Sequence, residues 1–281
     1  MAWGARHLRD LPWRKTRDPW AVLVSEVMAQ QTQVDRVIPY YEAFLGRFPH
    51  PTACATAPTS AVLYLWSGLG YNKRAVNLHR CARAIVADHG GRVPDNLDAL
   101  LALPGIGPYT ARAVLAFAFE QPVGVVDTNV GRVLARWAGR PLQPKEAQLL
   151  ADDLVPPRRR WLWNQAVMEL GATVCARRSP DCSTCPVAKG CAWSRVGQAA
   201  PDPADGSAGV GTGQSRFAGS DRQGRGRLVA ALRNSPVARE ALADVMGWPD
   251  DPARAERVAR GVVADGLAER RGGVWSLPDN P

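Results

Sequence analysis

The chain has 281 residues with 35 Lys and Arg against 26 Asp and Glu, a net charge of +9 and a pI near 9.7. That length suits two domains, and the surplus of cations suits a polyanionic partner, because Lys and Arg gain affinity by releasing counterions from phosphates; a merely soluble basic protein is the plainer reading of charge alone. No apolar run is long enough to cross a bilayer and no N-terminal apolar run suggests secretion, so a soluble, cytoplasmic protein with no membrane partner is expected.

From the N-terminus, Arg9 to Arg14 is irregular, and Asp18 followed by Pro19 is a good N-cap and first-turn pair. Trp20, Leu23, Val24, Val27 and Met28 then repeat at helical spacing and predict one buried stripe. Glu26 lies off that stripe, where a lone carboxylate is ordinarily solvated, and Gln30 and Gln31 begin a polar run at the helix end. Residues 37–48 and 60–66 are again helical in pattern, with breaks at Pro49, Pro51 and Pro58. Gly68 to Tyr71 interrupts the pattern before another predicted helix over 73–89; a tight turn there presents Tyr71 at a loop tip, although a partly packed aromatic accounts for it equally well.

A predicted helix over 97–103 stops at Pro104-Gly105-Ile106-Gly107-Pro108, and a second runs from Tyr109 to Phe119. Two short helices joined in this way predict a helix-hairpin-helix, because Gly105 and Gly107 let backbone amides and the next helix N-terminus face one phosphate. Val123 to Val126 is a short apolar run ending in Asp127, which suits the N-cap of a helix over 130–137. Helical patterns resume over 146–154 and 161–174, so the fold class is mainly α.

Cys175, Cys182, Cys185 and Cys191 follow with the spacing C-x6-C-x2-C-x5-C. Four thiolates this close can share one metal centre. Structural zinc more often takes two tight pairs, whereas only Cys182 and Cys185 form one here, so the spacing favours a [4Fe-4S] cluster over zinc, with disulfides third. Cys54 and Cys81 lie in apolar segments and read as buried structural thiols. Beyond them, residues 196–220 are rich in Gly, Ala, Ser, Asp and Pro and read as a flexible linker. Helical patterns over 227–232, 239–246 and 253–263, then two short extended runs around Arg271-Gly272-Gly273, predict a small winged-helix-like module over 221–281 that touches DNA or another protein.

With the helix-hairpin-helix, the carboxylate after it and the four cysteines in place, residues 1–195 resemble the helix-hairpin-helix DNA glycosylases that carry a four-iron cluster. The likeness is to the MutY-type adenine branch. It is carried by LPWR from Leu11, SEVMAQQTQVDRVIPYY from Ser25, LWSGLGYNKRAVNLH from Leu65, LPGIGPYTARAV from Leu103 and VVDTNVGRVLAR from Val125. The resemblance implies a two-lobed glycosylase fold and residue roles position by position. Glu26 matches the catalytic acid and Asp127 the aspartate that stabilises the sugar cation. Asn129 matches an active-site amide, Gln30 and Gln31 match residues at the opened base stack, and Tyr71 matches an intercalating tyrosine. Tyr109 falls where bifunctional relatives such as endonuclease III carry the Schiff-base lysine, so no lysine-based lyase step is expected.

The implied activity is monofunctional base-excision hydrolysis of adenine mispaired with 8-oxoguanine or G, by a monomer acting on duplex DNA. The alternatives are a glycosylase of the same fold acting on T, U or hypoxanthine, and a non-catalytic iron-sulfur DNA-binding regulator. Three departures bear on the partner base: Asn72 replaces a second aromatic, Thr128 replaces a glycine, and no pattern of the nucleotide-pyrophosphate hydrolase kind follows Gln198.

Overall fold

The computed structural model describes residues 1–208 and 216–279. Its helices begin with α1 (Ala2–His7), α2 (Pro19–Ala29), α3 (Val34–Arg47), α4 (Pro51–Ala55) and α5 (Thr59–Leu65). There follow α6 (Lys73–His89), α7 (Leu97–Ala102), α8 (Pro108–Phe117), α9 (Thr128–Ala138), α10 (Pro144–Asp153), α11 (Arg160–Thr173) and α12 (Ala192–Arg195). The C-terminal part holds α13 (Asp221–Leu232), α14 (Leu242–Met246) and α15 (Pro252–Ala264), with strands β1 (Val237–Ala238), β2 (Glu269–Arg271) and β3 (Val274–Ser276). Among the described residues no helix is long and apolar enough to cross a membrane.

Two compact units result, each discontinuous in sequence. One joins residues 1–22, 95–98 and the described residues from 107 to 208; the other joins 23–94, 99–106 and the described residues from 216 onward. The expected division into 1–195, 196–220 and 221–281 is therefore corrected at two places. Residues 196–208 are packed rather than free: Ala204 and Ser207 are buried, and the Ala208 N–H donates to the Leu142 carbonyl at 2.8 Å. Residues 209–215 of the expected linker lie outside the described residues. The C-terminal module, in turn, belongs to the second unit.

In the first unit, Val130, Leu134 and Ala135 of α9 pack with Leu142, Ala147 and Ala151 of and before α10. The N-terminal segment is tied to α11 through Glu169, which is fully buried. Arg9 donates to it at 2.6 Å and Arg14 at 2.7 Å, while the Arg14 Nε reaches Gln165 Oε1 at 2.7 Å. A buried carboxylate needs such donors, since desolvation would otherwise outweigh any packing gain.

In the second unit α4 and α5 pack on α6, whose buried face includes Val76, Leu78, Cys81 and Ile85. The C-terminal module has the predicted three helices and hairpin, completed by a third strand. Antiparallel strands stand in the order β1-β3-β2, with Val237 opposite Trp275 and Arg271 opposite Val274. Helix α13 starts earlier than its apolar pattern, at the Ser220 N-cap, because Gly224 and Gly226 dilute the hydrophobic signal in its first turns.

Candidate active site and metal-binding loop

Asp127 is placed by an extended strap. The Val125 N–H donates to Asn164 Oδ1 at 2.9 Å, Asn164 Nδ2 donates to the Val123 carbonyl at 3.1 Å, and the Gly124 N–H donates to Asp152 at 2.7 Å. The strap ends at Asp127, the N-cap of α9, whose Oδ1 accepts the Val130 N–H at 2.7 Å and whose Oδ2 accepts Asn129 Nδ2 at 2.9 Å. The helix N-terminus that needs an acceptor also favours an anion at this position. Burial pushes the Asp127 carboxyl above the usual carboxylate range, and the bonds from Val130 and Asn129, with the nearby Arg132 charge, pull the other way.

A line of hydrogen bonds then runs down α9 to the cysteine loop. Arg132 donates to Asn129 Oδ1 at 2.8 Å, to the Cys175 carbonyl at 2.7 Å and to the Gly171 carbonyl. Gly171 is required there: a Cβ would come within 2.7 Å of the Asn129 backbone oxygen. One turn on, Arg136 donates to the Ala176 carbonyl at 2.7 Å, pairs with Asp202 at 2.6 Å and lies 3.4 Å from Cys175 Sγ, while Cys191 Sγ is 3.2 Å from the Arg136 carbonyl.

Cys175, Cys182, Cys185 and Cys191 line one small hollow, walled by Val133, Leu170 and Val174 among others. All four are free thiols, which removes the disulfide reading. Burial raises the Cys182 and Cys185 thiols, and the neighbouring cysteines add to the rise. The four cysteines share this hollow, although among the described residues no three His, Cys, Asp or Glu side chains are grouped so as to hold a metal ion. Cys54 and Cys81 differ. Burial pushes both thiols up to about 12, as expected of structural cysteines.

In the second unit Glu26 is 8% exposed, so the solvated reading of this carboxylate is corrected: its helix neighbours Val24 and Val27 are buried too, and it makes contacts of its own. Gln30 lies in the turn that follows this helix, and Gln31 comes next at φ +54, exposed. Tyr71 stands at φ +49 and 40% exposed, on a loop held from several sides. Arg74 is the tie. Its guanidinium donates to the carbonyls of Val27, Met28 and Gln30 at 2.7 to 2.9 Å, to Thr32 Oγ1 at 3.0 Å and to the Gly70 carbonyl at 3.1 Å. The end of α2 and the Tyr71 loop are thereby fastened to one side chain. Gln30 also shares a hollow with Gly105, whose φ is +78 and where an added Cβ would come within 2.6 Å of Asn77 Cβ.

Tyr109 is half-buried in the first turn of α8, and Gly107 is that helix's N-cap, followed by Pro108 at the first position. The structure therefore groups Asp127 with Asn129, the four cysteines with one another, and Gln30 with Gly105. Glu26 and Asp127 belong to different units. Arg74, Arg132 and Arg136 escaped the sequence reading. The available signal was their place on the apolar faces of helices, where an arginine needs buried partners.

Residues 24–157 match the family described as HhH-GPD superfamily base excision DNA repair protein, which fixes the class of the fold. Among solved structures, a thermostable thymine-DNA glycosylase aligns with TM-score 0.62 at 33% identity over 67% of this chain and 89% of that one. A non-covalent endonuclease III–DNA complex aligns with TM-score 0.61 at 22% identity over 70% and 92%, a likeness of fold. An adenine DNA glycosylase of Mycobacterium tuberculosis is 45% identical over 99% of this chain and 92% of its own length. One from Homo sapiens is 44% identical over 70% of this chain and 39% of its own length. The chain belongs to the adenine DNA glycosylase family of this superfamily, the MutY type.

Proposed function

We propose that the protein is a monofunctional DNA glycosylase that hydrolyses the N-glycosidic bond of adenine mispaired with 8-oxoguanine or G in duplex DNA. One observation carries the reading: the chain holds two unlike carboxyls. Glu26 is buried in mid-helix, and Asp127 receives two hydrogen bonds at a helix N-terminus that oppose the upward push of burial on its carboxyl.

The chemistry needs one of the two protonated and the other ionised. The target base leaves the stack before its glycosidic bond can be reached. Adenine is a poor leaving group as an anion, so Glu26 gives its proton to a ring nitrogen while the C–N bond breaks and its electron pair stays with the base. The sugar is left cationic, and ionised Asp127, held by Asn129, stabilises it until water adds and loses a proton. Tyr109 offers no amine for a Schiff base, so no lyase step through lysine follows. Tyr71, Gln30 and Gln31 fill the opened stack, and the Gly105 and Gly107 backbone meets a phosphate. Cys175, Cys182, Cys185 and Cys191 would hold a [4Fe-4S] cluster. Bound there, it supplies cross-linking of the loop that receives Arg132 and Arg136, and hydrolysis itself moves no electrons.

The test is single-turnover release of free base from duplexes carrying A opposite 8-oxoguanine, A opposite G, T or U opposite G, and hypoxanthine opposite T. Fastest release of adenine supports the reading. The likeness to a thymine-DNA glycosylase favours a second one, and release of thymine with adenine untouched would install it instead. For the cluster, Cys185→Ser should lower iron content and folded yield together.

A further inference from the structure

The C-terminal module carries arginines, yet charge counts against it as the DNA-binding surface. Residues 220–281 hold ten arginines and nine carboxylates, whereas residues 1–195 hold 24 Lys and Arg against 15 Asp and Glu. Its arginines are engaged internally: Arg254 and Arg257 with Asp221, Arg239 with Glu256, and Arg271 with Glu269. Affinity for a polyanion scales with the phosphates neutralised, and little net charge is left here to neutralise them.

What the module does reach, within its own unit, is the loop that displays Tyr71. Arg233, at the end of α13, donates through Nε to the Leu63 carbonyl at 3.2 Å and through a terminal nitrogen to Asn72 Oδ1 at 3.4 Å. Its own carbonyl accepts the Tyr64 hydroxyl at 2.6 Å. Lys73 pairs with Asp265 at 2.7 Å, and Asp265 is held in turn by Arg225. Arg222 lies 3.5 Å from the Tyr71 hydroxyl. At the far side the Thr59 N–H donates to Asp279 at 2.9 Å. Residues 71, 72 and 73 are thus each gripped by a different side chain of the module. Arg74 holds the same loop from the other side.

We propose that the winged-helix module is a brace for the loop over 68–73, and that Arg233 is a positioning residue that fixes where Tyr71 meets an opened base stack. The inference deepens the glycosylase reading and rests on it. An exposed aromatic at positive φ can fill a gap in stacked bases only if its backbone cannot retreat, and the module prevents that retreat. The full-length alignment with the mycobacterial relative runs through this module, whereas the mammalian alignment covers 70% of the chain.

The experiment compares full-length wild type, Arg233→Ala and Arg233→Lys on two duplexes. In one the target adenine is stacked in a mispair; in the other it faces an abasic site and opens easily. Single-turnover adenine release is read beside the fluorescence of a 2-aminopurine next to the target, with melting temperature and iron content as checks. Arg233→Ala should slow release from the stacked duplex on the order of 10-fold, as small misplacements do. It should leave the easily opened duplex nearly unchanged and lower the 2-aminopurine signal. Arg233→Lys, which reaches one acceptor but not both, should recover part of the loss.

Equal slowing on both duplexes, or no slowing on either, overturns the brace. Should Arg233→Ala fail to fold, Tyr64→Phe removes only the hydroxyl on the Arg233 carbonyl, and the same comparison decides. Arg260→Ala with Arg270→Ala should change nothing; weaker binding with a shallower salt dependence would overturn the brace in favour of direct DNA contact. If wild type releases no adenine from either duplex, the adenine reading has failed, and the fluorescence comparison still judges the brace.

Discussion

Arg136 and Arg74 are both buried guanidiniums bonded to backbone carbonyls, but only Arg136 has a carboxylate partner. Burial alone would lower both. For Arg136, Asp202 and Cys175 reverse that effect and the net shift is upward. Arg74 has only carbonyls and one hydroxyl around its terminal nitrogens, its Nε finds no partner among the described residues, and burial brings it down to about 10. The first unit therefore holds the cysteine loop with a compensated charge. The second holds the end of α2 and the Tyr71 loop with a guanidinium that lies over the Trp66 and Tyr71 rings and has no carboxylate partner among the described residues. A buried ion pair carries its own counter-charge, whereas a buried cation without one depends on the carbonyls that its terminal nitrogens reach.

Substitutions can sharpen that contrast, and the largest effect should come from the carboxylate of the first unit. Asp127→Asn keeps an N-cap but loses the anion, and should slow adenine release on the order of 10³-fold, the scale of a lost electrostatic stabiliser, with duplex affinity retained. Next is Glu169→Gln, which leaves Arg9 and Arg14 facing a neutral amide. The cost should approach roughly 3 kcal/mol, the lower end for a broken buried pair because Arg9 is 42% exposed, measured by urea unfolding. Arg74→Met should cost roughly 2 kcal/mol through unsatisfied carbonyls. Its distinctive mark is weaker duplex binding by a protein that still folds, and unchanged binding would show that the Tyr71 loop does not depend on this tie.

The smallest effect is a pH shift. The raised Asp127 carboxyl is ionised only above its folded pKa, so activity is lost as pH falls through that value, and the acid limb of the rate profile should lie above the usual carboxylate range. The Asn129 bond lowers that pKa. Asn129→Ala should therefore move the acid limb to higher pH, and a shift to lower pH would contradict the assigned geometry.

Much of this was legible in the chain. Apolar spacing located most of the helices of both units but not the short α1, α4 and α12, Gly105 and Gly107 located the hairpin, and the four cysteines located their hollow. Helix ends moved by a residue or more, as with Pro108–Phe117 against the expected 109–119, because frayed turns carry no periodic signal. Strand β1 was invisible at two residues. Residues 196–208 read as linker because small residues such as Ala204 and Ser207 bury well without a hydrophobic pattern. The arginines were hardest. The place of Arg74 and Arg132 on apolar helix faces hints at buried partners, but which carbonyls an arginine knits is set by tertiary packing.

The central claim is that one carboxyl serves as an acid and the other as an anion, and Glu26→Gln tests it most directly. Single-turnover adenine release by this variant, read across pH on the best mispaired duplex, should fall by about 10² to 10⁴-fold at every pH with binding intact. A variant that released adenine within a few-fold of wild type would show that the leaving base takes its proton from elsewhere, and the account of two unlike carboxyls would be wrong.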